Sequence, residues 1–308
     1  MKMKVDIICP LYNASNYINS LHSNLKSQKV DFDVSIRYAL TESTDNTLEI
    51  LKGLNVEYVL IKKEEFSHSR TREIMAMDSE SDIIVFISQD VIMKNEKWLS
   101  NLVNPIISGV CEAAFSRQIC QNNSIEKYIR EKNYPEESRV VSKVDIDELG
   151  LMTFFYSDAS SAVKTLVYKD LNGYDGKHLI INEDMYLAHK IIENGFRIKY
   201  CADSEVYHSH TFTLRQLFNR YFDTGVFFKI NSIFLTYKGN QSGMALFKYV
   251  LLRAIREMNF KVLLILIPNF ATRYIGNILG QKYEKLSAKR RIKYSLDKKY
   301  WTRFEEDI

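Results

Sequence analysis

The chain has 308 residues, 46% of them hydrophobic and 26% charged, with a formal net charge of +4. That is enough apolar content for one large core, or one core with a helical extension, and too much for a disordered chain. The net charge is too small to indicate a nucleic-acid partner by itself, so basic residues matter only where they cluster, which is near the C-terminal end. Cys9, Cys111, Cys120 and Cys201 are scattered without a CxxC pair, and MKMKVDIICP runs into a strand without a signal-peptide layout. Free core thiols and a reducing cytoplasm are the expectation.

Residues 5–9 are a short apolar run closed by Pro10, after which Asn13 or Ser15 can cap an amphipathic helix through about residue 29. Residues 34–40 read as a second strand, 41–45 (TESTD) as a polar loop, 47–54 as a second helix and 56–61 as a third strand. Such alternation predicts a parallel sheet with right-handed crossovers and ligands bound at the carboxyl ends of its strands. No GxGxxG follows the first strand and no GxxxxGK[ST] occurs, so the phosphate cradles of dinucleotide and P-loop sites are missing.

Residues 66–72, FSHSRTR, lead into a helix holding Ile74, Met75 and Met77. Arginine forks and the free amides of a helix start attract phosphate, which makes this loop a candidate diphosphate site; the alternative is a solvated loop with ordinary surface ion pairs. Residues 82–87 are the most strand-like run and stop at Ser88-Gln89-Asp90, which sets an acid on the ligand-binding edge. Further on, 125–132 has helical character and 135–147 is a charged loop of the length of a lid.

Residues 180–210 gather the most chemistry. Glu183 and Asp184 precede an apolar helical pattern at Met185, Leu187, Ala188, Ile191 and Ile192, and acids are favoured at the positive end of a helix. Asn194-Gly195 stops that helix, 196–200 alternates as a strand, and Val206-Tyr207-His208 returns an imidazole to the same edge. The carboxylates and the imidazole then converge; the alternative is an acidic helix cap and two surface histidines.

PLYNASNYI, STDNT, an apolar strand ending in aspartate, NGYDG, NED and VYHSH follow one another in that order. Over residues 4–225 the chain thereby resembles inverting family 2 glycosyltransferases with the GT-A fold. FSHSRTRE, SQD and VYHSHTFTLRQLFNRYFDTG further resemble segments of the rhamnosyltransferase branch. The resemblance implies an α/β catalytic domain over 1–225, Rossmann-like with a mostly parallel central sheet flanked by helices, and a C-terminal helical region over 226–308. It implies donor contacts from Pro10, Tyr12, Asn13, Thr41, Glu42, His68, Arg70, Arg72, Gln89 and Asp90, and from Asp158 in the SDASSA segment. It also implies a divalent cation, Mn²⁺ or Mg²⁺, on Asp90 and His208, with Ser88 standing where the family's D-x-D motif has its first acid and His210 ranked below His208. ALTE at 39–42 lacks the aspartate many relatives use for the nucleobase, so base identity stays open.

Sugar transfer from a nucleoside diphosphate needs a cation to take up the leaving charge and a carboxylate to accept the attacking hydroxyl's proton on the opposite face. Asp184 is assigned as that base and Glu183 as a supporting or acceptor-orienting group, in one displacement that inverts the anomeric carbon.

Beyond 225 the character changes. Residues 244–255 and 260–267 are apolar with basic residues interspersed, and the longest uncharged run, 262–272, holds Pro268 and is too short for roughly 30 Å of hydrocarbon. Interfacial helices followed by a Lys/Arg tail carrying Tyr294, Tyr300 and Trp301 are the membrane reading; helices packed on the catalytic domain are the alternative. The expectation is L-rhamnose transfer from a dTDP-linked donor to a saccharide or lipid-linked saccharide acceptor of a bacterial surface polysaccharide. It would take place at the cytoplasmic face of the membrane, without nucleic acid, with homodimerisation left open. A UDP-sugar-dependent hexosyl or galactofuranosyl transferase competes with it, as does a non-catalytic nucleotide-sugar-binding subunit, against which Asp90, Asp184 and His208 argue.

Overall fold

The computed structural model describes residues 2–238 and 243–303. Its strands are β1 (Lys4–Leu11), β2 (Asp33–Thr41), β3 (Glu57–Ile61), β4 (Ile83–Ile87), β5 (Ile92–Met93), β6 (Ala113–Ile119), β7 (Arg139–Val141), β8 (Ser160–Lys164) and β9 (Ile198–Tyr207). They form one sheet in the order β3-β2-β1-β4-β8-β6-β9-β5, with β7 added on β9. β3, β2, β1 and β4 are parallel, as the alternating strand and helix pattern requires. β8 runs against both β4 and β6, β6 and β9 are parallel, and β5 and β7 run against β9, so the sheet is mixed beyond β4.

The central strands read as continuous apolar runs because both sheet faces are covered. Ile7 and Cys9 of β1 join one core with Trp98, Leu99 and Leu102, while Ile8 joins the other with Leu187, Ile191 and Phe222. All four cysteines are buried free thiols.

The first helix, Ile18–Lys26, starts later than residues 13–15. Asn13 sits at φ 46° with its Oδ1 accepting from the Thr44 amide at 2.9 Å, and the Ser15 amide donates to Asp45 at 2.9 Å. These side chains and amides are spent tying the β1 end to the loop after β2. The charged 135–147 segment is likewise not a free lid. β7 pairs with β9, the Tyr200 hydroxyl donates to the Pro135 carbonyl at 2.6 Å, and Ser142 and Asp145 form a capping box.

The expected boundary at 225/226 falls inside a single helix, Leu214–Ile230, capped by Thr213 and Gln216. Across it lies the helix Phe260–Gln281, and glycines bring the two backbones together: a Cβ on Gly280 would stand 2.0 Å from the Phe222 carbonyl oxygen, and one on Gly225 2.2 Å from that of Asn277. This helix continues through Pro268 for 22 residues and is long and apolar enough to cross a membrane by length and composition, which corrects the shorter run expected from the charge spacing. It is nevertheless docked. Buried Arg273 pairs with Glu126 and bonds Asn269 Oδ1 at 2.8 Å and the Tyr221 hydroxyl at 2.6 Å. A third cluster, with Tyr128, Ile129, Val250, Ala254, Val262 and Leu266, packs the helix Gly243–Arg256 against Ile125–Asn133.

The aromatic residues of the tail also point inward. Tyr300 and Trp301 are buried, and Tyr294 packs edge-on against Phe218 and Phe222 at 5.3 and 5.8 Å. They pack into the core cluster that holds Ile8, Phe86 and Phe222 and do not form the interfacial belt of the membrane reading.

Candidate active site

A cleft of about 920 Å³ opens at the carboxyl ends of β1, β2, β4 and β6 and at the end of β9, where Leu11, Thr41, Ser88, Gln118 and His208 stand. Parallel strands leave their chain ends at this edge, so the loops that follow them supply the lining. Pro10, Tyr12, Thr41, His68, Arg72, Gln89, Asp90, Asp158, Glu183, Asp184 and His208 of the expected set all line it; Asn13, Glu42 and Arg70 do not.

Strand register assembles a candidate cation site. β5 pairs with β9 through Ile92↔Tyr207, so the residues just before Ile92 meet those just after Tyr207. His208 Nε2 lies 3.5 Å from Asp90 Oδ1, and His210 Nδ1 lies 3.9 Å from Asp90 Oδ2. One ligand atom from each of the three residues falls within 4.8 Å of the others. Gln118, at the end of β6, accepts through Oε1 from His208 Nδ1 at 2.8 Å and from Arg130. An acceptor at Nδ1 fixes the proton there and leaves the Nε2 lone pair free, the tautomer a metal ligand needs. Burial holds both imidazoles below the usual histidine range, His210 at about 4, so both are neutral; burial opposes ionisation of Asp90, but contact with His208, then His210, outweighs it and its carboxyl lies below its usual value. One carboxylate and two neutral imidazoles are a donor set that fits Mn²⁺.

The carboxylates divide by their partners. Glu183 and Asp184 open the helix Glu183–Glu193, entered through Asn182 at φ 59°. Glu183 is locked to the buried Arg72 at 2.9 Å. Asp158 is also spent, its two oxygens accepting from the Tyr174 hydroxyl at 2.6 Å and from Ser161 at 2.9 Å. Among the described residues, the one hydrogen bond to the Asp184 carboxyl is local, from the amide of Met185 at 2.8 Å to Oδ1. Burial first, then the charges of Glu183 and Asp158, push the Asp184 carboxyl well above the usual carboxylate range, with Arg72 pulling the other way.

The residues outside the cleft are occupied elsewhere. Arg70 pairs with Glu73, whose Oε1 accepts the amides of Tyr174 at 2.8 Å and Gly176 at 3.0 Å and so holds the Gly-Tyr-Asp turn. Of the two arginines expected on a diphosphate, Arg70 fastens a turn outside the cleft, and Arg72 lines the cleft while paired with Glu183. Glu42 accepts the Lys63 amide at 3.0 Å, and Gln89, although in the cleft, clamps Tyr12 by reciprocal bonds of 2.8 and 3.1 Å. Buried Thr41 Oγ1 has no hydrogen-bond partner among the described residues.

The cleft also holds Lys63, Gln118, Arg130, Arg220, Asp223, Lys298 and Lys299, which sequence reasoning missed. Gln118 was discoverable as the polar end of a buried strand, by the same rule that found Asp90. The two C-terminal lysines carried no local signal.

The family model described as "Glycosyl transferase family 2" matches residues 6–171. The O-antigen chain rhamnosyltransferase RfbN of Salmonella typhimurium is 32% identical over 314 residues, covering 98% of both chains. WbaN of Salmonella anatum, another O-antigen chain rhamnosyltransferase, is 31% identical over 97% of this chain and 96% of its own. In fold, the chain resembles the mannosyltransferase PcManGT of Pyrobaculum calidifontis, solved with GDP-Man and Mn²⁺, at a TM-score of 0.60 and 14% identity over 93% of this chain and 89% of that one. S. aureus TarS 1-349, solved with UDP-GlcNAc, gives a TM-score of 0.58 and 15% identity over 95% of this chain and 78% of that one. An α/β sheet with a cation-ready triad at its carboxyl edge, matched by the family model over more than half the chain and by relatives along nearly all of it, makes this protein a glycosyltransferase and a member of glycosyl transferase family 2.

Proposed function

We propose that the protein transfers L-rhamnose from dTDP-L-rhamnose to a lipid-linked saccharide acceptor of an O-antigen-type surface polysaccharide, with inversion. The observation that carries the chemistry is that Asp184, which has no side-chain hydrogen-bond partner among the described residues, shares one cleft with Asp90, His208 and His210. The names of the two full-length Salmonella relatives support the sugar and the pathway.

In this reading Asp184 accepts the proton of the attacking acceptor hydroxyl. Its raised carboxyl is the stronger base for that, because a base works best when its pKa approaches the operating pH. Glu183 and Arg72 position it as a fixed pair at the helix start. Asp90, His208 and His210 would hold a divalent cation, which when bound neutralises charge on the leaving diphosphate. Pro10, Tyr12 and the unpartnered Thr41 hydroxyl line the nucleoside end.

We place the protein at the cytoplasmic face of a membrane. Leu252, Ile255, Phe260, Leu264 and Ile267 are exposed on the two C-terminal helices, beside exposed Lys248, Arg256 and Lys261. An apolar face rimmed by basic residues suits an interfacial position on anionic lipid. In this reading residues 1–230 with the tail form the catalytic unit, and 243–281 carries the membrane face.

Donor hydrolysis and transfer by purified protein, screened over dTDP-rhamnose, UDP-hexoses and UDP-galactofuranose with Mn²⁺, Mg²⁺ or EDTA, tests the proposal. Turnover of dTDP-rhamnose that EDTA abolishes is expected. Turnover confined to a UDP-sugar overturns the donor assignment, and full turnover in EDTA overturns the cation's role.

A further inference from the structure

The cleft is not closed by the catalytic sheet alone. Its remaining wall is the C-terminal segment, from which Leu296, Asp297, Lys298 and Lys299 line the same cavity as Asp90 and Asp184. This segment is built in. Ser295 is wholly buried, Asp223 Oδ2 accepts the amides of Leu296 at 2.8 Å and Asp297 at 3.2 Å, and Tyr300 and Trp301 are inserted into the core. The far end is tied to the loop after β3: Lys299 Nζ donates to the Lys63 carbonyl, and Arg303 donates to the Phe66 carbonyl and, at 3.1 Å, to that of Glu64. The tail is therefore strapped to the rim that carries Lys63, whose Nζ lies 5.7 Å from the centre of the Tyr12 ring.

The charge along this wall is unbalanced. Elsewhere in the cleft Arg72 is neutralised by Glu183, Arg130 is engaged by Gln118, and Arg220 lies over the ring of Phe212. Asp297 Oδ1 accepts the amide of Tyr300 at 3.2 Å. Among the described residues, Lys63, Lys298 and Lys299 have no carboxylate at ion-pair distance, and two of the three ammonium stems are exposed. Burial and the nearby Lys63 and Arg303 lower the Lys299 ammonium below its usual value, with Asp297 opposing them.

We infer that Lys298 and Lys299, together with Lys63, form an anion site for the phosphates of the nucleoside diphosphate donor, so that the C-terminal strap is part of the donor site. The inference rests on the donor reading above. It gives the tail a share of the phosphate neutralisation, alongside the cation expected at Asp90, in a cleft where Arg70 is paired with Glu73 and Arg72 with Glu183. Ammonium groups at a cleft wall recognise phosphate as point charges, with no demand for a fixed fork geometry.

Titration calorimetry on the full chain tests it with dTDP, dTMP and thymidine as probes, comparing wild type, K298Q/K299Q and the exposed-surface control K289Q/R290Q. The strap variant is expected to bind dTDP about 10- to 100-fold more weakly, from the loss of two charge-assisted contacts, with the deficit shrinking for dTMP and vanishing for thymidine. The salt dependence of dTDP binding should fall with it, and the control should match wild type. If K298Q/K299Q melts early, K63Q carries the test, since the side chain of Lys63 takes no part in holding the strap. Equal dTDP binding by wild type and both Lys variants, or equal losses for dTDP and thymidine, overturns the inference alone. Wild type that binds none of dTDP, UDP and GDP overturns the donor reading and this inference with it.

Discussion

The assignment of the base turns on two adjacent carboxylates, and Asp184→Asn against Glu183→Gln separates them. Glu183 sits 2.9 Å from a guanidinium that is 4% exposed, so Glu183→Gln leaves a buried charge without its partner. Breaking such a pair costs about 3–5 kcal/mol. With an unfolding entropy of about 2.1 cal/mol/K per residue, that lowers the melting temperature of a chain of this length by on the order of 5–8 °C. Among the described residues Asp184 has no such partner, so Asp184→Asn should leave the melting temperature nearly unchanged. Its cost is kinetic: loss of a positioned base lowers kcat about 10²- to 10⁴-fold, or about 3–5 kcal/mol of barrier, with donor affinity retained.

The pH profile gives an independent reading. The Asp184 carboxyl is raised by burial and by its acidic neighbours, so the base is ionised and active above that raised value, and activity is lost as pH falls through it. The acid limb of kcat/KM should therefore lie above the ordinary carboxylate range in wild type and disappear in Asp184→Asn. Calorimetric melting, donor titration and initial rates from pH 4 to 9 on the two variants decide the matter. A near wild-type kcat for Asp184→Asn beside a dead but thermally intact Glu183→Gln would reverse the assignment.

Asp223 should set a pH dependence of stability. Burial raises its carboxyl to about 7 against the pull of its hydrogen-bond donors, and its Oδ1 has no partner among the described residues, a place for the proton. A raised carboxyl contributes its stability below the unfolded value near 4 and loses it as pH rises through 7, by up to roughly 4 kcal/mol. Thermal melts of Asp223→Asn, which cannot ionise, should show a smaller loss between pH 5 and 8 than wild type; parallel curves would refute the reasoning. Gly280→Ala should cost about 1–3 kcal/mol despite alanine's better helix propensity, because the added Cβ meets the Phe222 backbone at 2.0 Å; a variant as stable as wild type in urea titration would mean that the two helices separate freely. Cosedimentation should show binding to anionic liposomes that weakens with salt and with Lys248, Arg256 and Lys261 changed to Ser. Equal binding to neutral liposomes, or none to either, would remove the membrane face from the two C-terminal helices.

What was legible in the sequence follows from the range of the forces involved. β1 and β4 are apolar on both faces, so their identity and the position of Asp90 at a strand end could be read locally, and Glu183 and Asp184 announce a helix start wherever that helix packs. Neutralisation is not local. Whether Arg72 serves a ligand or a protein carboxylate depends on Glu183, 111 residues away, and Arg70 likewise looks free until Glu73 is seen bridging to the Tyr174 turn. The tail shows the same limit from the other side. KRRIKY and KKYWTR have the composition of an anionic-surface anchor, and composition cannot say which body an amphipathic segment covers. What decides it here is an acid on the helix Leu214–Ile230, Asp223, whose carboxyl accepts two amides of the returning chain and turns it across the cleft mouth. With Tyr300 and Trp301 buried behind that turn, Lys298 and Lys299 are left lining the cleft, the latter also tied to the Lys63 carbonyl. A basic tail that sequence reading assigns to a membrane therefore belongs to the same electrostatic problem as the leaving group.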